Sequence, residues 1–231
     1  MNPCLILTRN CLDLTKRCVE SVRKQDCGDV WIRVVDNGST DGTPDWCDAN
    51  EDIQGWFYLK NEGVSRGWNL ALDDEFLCQK TSHCLVIGND TVLAPWTYSA
   101  LLSANVGFVT GVDVAMDPLP AKPDVFPLSP HPDFSCFLIK REVWEAVGPF
   151  DERMVSYAGD CDYHVRAHRL GIPLWKASIP YNHERSSTMN RADPAERAEL
   201  NAQANRDRAV FQSIYHCLPG TKEYAELFKD A

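Results

Sequence analysis

Four short apolar runs, each ending in small polar residues, constrain this chain more than any other feature. They are PCLILT (3–8), VWIRVVDN (30–37), GWFYLKN (55–61) and HCLVIG (83–88). Between them the apolar period changes. Leu14, Cys18 and Val22 recur at i, i+4 and i+8, and Trp68, Leu72 and Phe76 do the same within 65–79, the spacing of one helix face. The turn cluster GSTDGT can start a further helix at Asp41. Strand-length runs alternating with helices of about 10–15 residues predict a parallel sheet with right-handed crossovers. The carboxyl ends of such strands share one edge, where open α/β sheets bind ligands. Thr8 and Asn10, Asp36 and Asn37, Asn61 and Gly63, and Asn89 and Asp90 therefore converge on one polar crevice. Each also has an ordinary local explanation: Asn10 can cap the first helix, Asp36 can hold its own turn, and Asn61 can take a left-handed turn conformation.

The second half is less regular. A helix near 96–104, a strand VGFVTGV (106–112), a strand DFSCFLIK (133–140) and a helix REVWEAV are expected in turn. A helix from Asp160 to Leu170 then closes on Gly171, and IPLWKASI (172–179) reads as the last strand. Residues 118–132 hold six of the fourteen prolines, which excludes a helix or central strand and leaves a surface loop or a lid. From Asp193 the chain reads as helical, with Val210, Phe211, Ile214 and Leu218 placed to dock its end. The expectation is a core domain over 1–190 with a helical extension over 191–231 packed on it.

With 231 residues, 44% hydrophobic, the chain suits one soluble domain plus a small extension. A net charge of -10 argues against nonspecific binding to a phosphate backbone. No apolar stretch reaches a membrane-span length and the N-terminus lacks a leader pattern, so no transmembrane segment and a cytoplasmic location are expected. Ten scattered cysteines without a Cys-x-x-Cys pair read as free, mostly buried thiols rather than disulfides or structural zinc.

VVDNGSTDGT, NEGVSRGWNLAL, VIGNDTVL, VGPFDERM, AGDCDYHVRAHRLGIP and NHERSS, in that order, resemble the nucleotide-diphospho-sugar transferases of glycosyltransferase family 2, from about residue 4 to 187. The resemblance implies a GT-A fold: an α/β, Rossmann-like, mostly parallel sheet flanked by helices. It places Asp36 at the nucleotide base and Thr8, Asn10, Asn61, Gly63, Arg66, Asn69 and Asn89 around a nucleotide-sugar donor, with Arg66 as diphosphate partner. Asp90 and His183 are implied as ligands of a divalent manganese or magnesium ion. Asp160 is implied as catalytic base, opposite the leaving group, with Asp162 as its supporting partner. Trp68 could stack on a base, although its helical spacing favours the core.

Three positions depart from the family pattern. Gly88 stands where the first Asp of Asp-x-Asp often falls, Gly159 where a Glu is common, and Arg9 where an aromatic residue often precedes the Asn. The expected function is metal-dependent, inverting transfer from a uridine-linked donor to an acceptor hydroxyl. A degenerate module that binds nucleotide sugar or glycan without turnover is the alternative. A sugar nucleotidyltransferase lacks its glycine-rich loop here. The acceptor is left open among glycan, protein, small molecule and modified nucleobase, with residues 118–132 and Phe150–Tyr157 as the acceptor-facing segments.

Overall fold

The computed structural model describes residues 2–113, 123–130, 132–184 and 187–229. The chain runs β1 (Asn2–Thr8), α1 (Leu12–Arg23), β2 (Val30–Asp36), α2 (Thr43–Asp48), β3 (Ile53–Phe57) and α3 (Val64–Asp73), which continues as a π-helical turn over Asp74–Cys78. Next come β4 (His83–Gly88), β5 (Thr91–Leu93), α4 (Thr97–Ser103), β6 (Phe108–Asp113), β7 (Val125–Pro127), β8 (Cys136–Lys140) and α5 (Arg141–Val147). The remainder is α6 (Gly159–Arg169), β9 (Trp175–His183), α7 (Ser187–Arg191), α8 (Pro194–Tyr215) and α9 (Lys222–Glu226).

One sheet carries the strands in the order β3-β2-β1-β4-β8-β6-β9-β5, with β7 also on β9. β3, β2, β1 and β4 are mutually parallel, as the alternating pattern requires. β8 then runs antiparallel to both β4 and β6, so its first residue, Cys136, lies beside Ile87 at the carboxyl edge of the parallel strands. Successive residues of β1 point to opposite faces. Cys4 and Ile6 enter a cluster with Cys18 and Val22 of α1, while Leu5 enters the other with Leu72, Phe76 and Phe137. Burial on both faces explains why these strands read as unbroken apolar runs. All ten cysteines are free, and seven are buried.

Two expected strands shift. The third occupies Ile53–Phe57 rather than 55–61, because its ladder stops where Phe57 meets Asp36. Beyond that point Gly38, at φ +77°, presses on the loop after β3; a Cβ there would fall 2.5 Å from the Lys60 carbonyl carbon. The last strand runs to His183 because β6 pairs one of its sides while β7 and then β5 pair the other. Of the proline-rich segment, residues 114–122 and 131 lie outside the described residues, and so does that part of the lid reading; Val125–Pro127 is a short edge strand. Among the described residues no helix is long and apolar enough to cross a membrane.

The C-terminal helices pack on α6 through a third cluster, in which Phe211, Tyr215 and Tyr224 meet Met154, Ala158, Cys161 and Val165. Asp207 of α8 is fully buried within this contact. Its Oδ2 accepts the backbone N–H groups of Ser156 (2.7 Å) and Tyr157 (2.8 Å), and its Oδ1 accepts from Gln203 Nε2 (2.7 Å). One carboxylate thus fixes the loop that precedes α6. Asp207→Ala leaves two amides without their acceptor and is expected to cost about 3 kcal/mol of stability, read from denaturant unfolding.

Candidate functional site

The site begins where β4 ends. Asn89 N–H donates to the Leu7 carbonyl (3.1 Å), which carries the parallel ladder one residue past Gly88, and the chain then turns into β5. β5 pairs antiparallel with β9, setting Thr91 opposite His183, and Glu184 N–H donates to the Asp90 carbonyl (2.9 Å). This register brings His183 Nε2 to 3.3 Å from Asp90 Oδ1, each side chain 15% exposed. Adjacent ligands of an octahedral ion with bonds of about 2.1 Å stand about 3 Å apart, so the pair fits two neighbouring corners of one cation. Carboxylate with imidazole suits manganese. Among the described residues no three His, Cys, Asp or Glu side chains cluster as a metal cage, so any further ligands have to come from elsewhere.

Beside this pair lies a cavity of about 420 Å³, bordered by Thr8, Asn37, Asn61, Trp68, Asn89 and Asp90. A second lobe of about 250 Å³ shares Trp68, Gly88, Asp90 and Tyr157 with it and adds Asp133, Ser135 and Asp160. The antiparallel course of β8 explains Asp133 and Ser135: the strand starts at the edge where β4 stops, and Gly88 N–H donates to the Ser135 carbonyl (3.1 Å). Trp68 packs on Phe137 and Phe150, as its spacing implies, and borders both lobes; its Nε1 is buried without a hydrogen-bond acceptor.

Asp160 sits at the start of α6, which Ala158 enters at φ +65°. Its Oδ1 accepts the Cys161 N–H (2.8 Å). Burial first, and then the negative charge of Asp133, push its carboxyl from 3.8 up to about 6, against the lowering by the Cys161 N–H. The expected partner, Asp162, faces elsewhere. It is 2% exposed and accepts from Tyr215 Oη (2.7 Å) and Arg166 Nε (2.8 Å), because helix positions two apart do not share a face. Asp133, unmarked in the sequence, stands in its place.

Other expected site residues divide. Thr8 Oγ1 bonds Thr15 Oγ1 (2.8 Å), and Asn89 Nδ2 donates to Thr15 Oγ1 and the Asn10 carbonyl, so these residues brace the cavity floor. Asn10 does not cap α1; its Oδ1 accepts the Thr40 N–H (2.8 Å) and ties β1 to the loop after β2. Asp36 is 1% exposed, its carboxylate accepts from Ser39, and burial raises its pKa; its neighbour Asn37 borders the cavity. Asn61 borders the cavity too, and its Oδ1 accepts the Gly63 N–H. Gly63, at φ +97°, lies against Val155, where a Cβ would fall 2.5 Å from Val155 Cγ1.

Two residues leave the site. Arg66 is 53% exposed and lies 3.5 Å from Glu152, and it borders neither lobe. Asn69 clamps the loop after α5, donating to the Phe150 carbonyl and accepting its N–H. Within Phe150–Tyr157, Tyr157 borders both lobes, while Phe150 is core. Sequence reading also missed Met189, Leu200 and Ala204, which α7 and α8 bring to the cavity wall. A helix of mixed polarity carries no mark of the wall it completes.

Residues 4–104 match the family model described as Glycosyl transferase family 2. No curated protein matches the sequence significantly. Solved glycosyltransferases share the GT-A fold over most of the chain. PcManGT, a mannosyltransferase from Pyrobaculum calidifontis in complex with GDP-Man and Mn2+, is 17% identical over 97% of this chain and 77% of its own, with a TM-score of 0.58. TarS of S. aureus is 15% identical over 96% of this chain and 46% of its own, with a TM-score of 0.58. GalNAc-T7, solved with UDP, GalNAc and Mn2+, is 14% identical over 79% of this chain and 43% of its own, with a TM-score of 0.62. The chain thus spans under half the length of two of these three.

Asp160 carries a test of this site that needs no substrate. A raised folded-state pKa means that its proton favours the folded state below about pH 4, and that this contribution is lost as pH rises through about 6. Asp160→Asn keeps an acceptor for the Cys161 N–H and never ionises. It is expected to exceed the unaltered protein in stability by about 2 kcal/mol at pH 7, the full shift being reduced because the cavity reaches the carboxylate, and to match it near pH 4. Paired denaturant titrations at the two pH values check this.

Proposed function

We propose that this chain transfers a sugar, with inversion, from a nucleoside-diphosphate donor to an acceptor hydroxyl, with Asp160 as general base. The observation that carries this reading is that Asp90 and Asp160, far apart in sequence, border one two-lobed cavity at the carboxyl edge of the sheet, with His183 Nε2 3.3 Å from Asp90. The larger lobe takes the donor: Asn37 and Asn61 offer amide groups to the nucleoside, with Asp36 behind Asn37. Asp90 and His183 hold manganese or magnesium, which when bound offsets charge on the departing diphosphate.

The smaller lobe takes the acceptor. Asp160 receives the hydroxyl proton as the acceptor oxygen bonds to the anomeric carbon and the carbon–oxygen bond to the diphosphate breaks on the opposite side. A carboxylate at about 6 is ionised at neutral pH and more basic than an ordinary aspartate, which suits this task. The donors named for solved relatives, UDP-GlcNAc for TarS and GDP-Man for PcManGT, support a nucleotide sugar, and we take a uridine-linked donor first. The glycines that motivated a degenerate module are compatible with chemistry. A Cβ on Gly88 would fall 2.8 Å from Asp90 Oδ1, and one on Gly159 would fall 3.0 Å from Ser65 Oγ, so glycine keeps both neighbourhoods open.

The test is nucleotide release from UDP- and GDP-sugars with manganese across an acceptor panel. Transfer is expected from at least one donor, at a rate that rises with pH through about 6. Asp160→Asn should lower kcat about 10²–10⁴-fold with little change in donor affinity. Undiminished turnover in that variant contradicts the assignment, and donor binding without turnover on any acceptor returns the chain to the binding-module reading.

A further inference from the structure

Arg9 was marked in the sequence only as a departure, and the fold gives it a position that the sequence does not suggest. Directly after β1, it borders the larger lobe and also an outer cleft of about 220 Å³ formed with Glu196, Glu199, Gln203 and Arg206. Among the described residues of the larger lobe, only Arg9 and Asp90 carry formal charge, and the smaller lobe adds Asp133 and Asp160. A nucleoside diphosphate entering this cavity meets three carboxylates and one guanidinium.

That guanidinium is incompletely matched. Arg9 Nη1 stands 2.7 Å from Glu196 Oε1, in the first turn of α8, outside good hydrogen-bond geometry. Apart from this ion pair, neither Arg9 Nε nor Nη1, both buried, has a hydrogen-bond acceptor. A planar fork with five N–H donors matches phosphate oxygens in pairs, and a single misaligned carboxylate leaves most of that capacity unused. Arg66, the cation the sequence offered for this task, lies outside both lobes near Glu152.

We propose, resting on the nucleotide-sugar reading above, that Arg9 binds the donor's diphosphate and that Glu196 is the carboxylate with which the diphosphate competes. Helix α8 thereby sets donor affinity through one side chain. This differs from a bracing pair in a measurable way: removing Glu196 strengthens nucleotide binding, whereas loss of a brace weakens it.

Calorimetry with manganese present decides between these, using UDP, GDP, uridine and guanosine as probes. Arg9→Ala is expected to weaken the preferred diphosphate about tenfold or more, in keeping with a charge-assisted contact, and to leave the matching nucleoside unchanged. Arg9→Lys should fall between, since it keeps the charge but not the fork. Glu196→Gln should tighten the diphosphate several-fold, and the double variant should behave as Arg9→Ala. The proposal is overturned if Arg9→Ala leaves diphosphate binding intact, if it weakens nucleoside equally, or if Glu196→Gln weakens diphosphate. Should Arg9→Ala fail to fold, Arg9→Lys and Glu196→Gln give the same decision. Failure of the unaltered protein to bind either diphosphate removes the nucleotide-sugar reading itself, which keeps the two failures distinct.

Discussion

The short antiparallel ladder between β5 and β9 is the contact on which the site depends. β5 has three residues, and its pairing sets Thr91 opposite His183. A slip of one residue would turn every side chain of the strand to the other face. Asp90 and His183 would then part, and the carboxylate and imidazole would no longer sit 3.3 Å apart. The register is held from both sides: Leu93 is core, and Asn89 N–H is anchored on β1. Buried packing thus fixes the spacing of two polar groups.

Helix α8 supplies the second constraint. Tyr215 bonds Asp162, Asp207 holds the amides of Ser156 and Tyr157, and the Arg208 guanidinium lies 4.2 Å from the Tyr157 ring centroid. These contacts orient the loop and helix start that carry Tyr157 and Asp160 to the cavity. Asp162, a neighbour of the proposed base in sequence, belongs to this scaffold. The smaller lobe is therefore shaped by a helix that lies outside the family match over residues 4–104.

The parallel half of the sheet was legible because β1, β2 and β4 carry buried residues on both faces and the helices between them on one, which writes distinct periods into the sequence. The convergence of Asp90, Asp36 and Asn61 at one edge followed from strand direction alone. His183 depended on the family resemblance, since nothing local tells a lone histidine at a strand end from a surface one. Arg66 and Asn69 were misread for a related reason. A helix start beside the cavity shows which residues are near it, but not which way they turn, and Asn69 is committed to the Phe150 backbone. Asp133 was invisible because an antiparallel strand reverses which of its ends meets the site, and strand direction is not written in local periodicity. Arg9 and Glu196 meet only through the path of the C-terminal helix.

A shared cation is the central claim, and manganese binding tests it most directly. Electron paramagnetic resonance can follow the loss of the free Mn2+ signal on titration with protein in the presence of UDP. The account predicts saturable binding near one ion per chain in the unaltered protein, with affinity lost in both Asp90→Ala and His183→Ala while their folds persist. Undiminished affinity in both variants would contradict it.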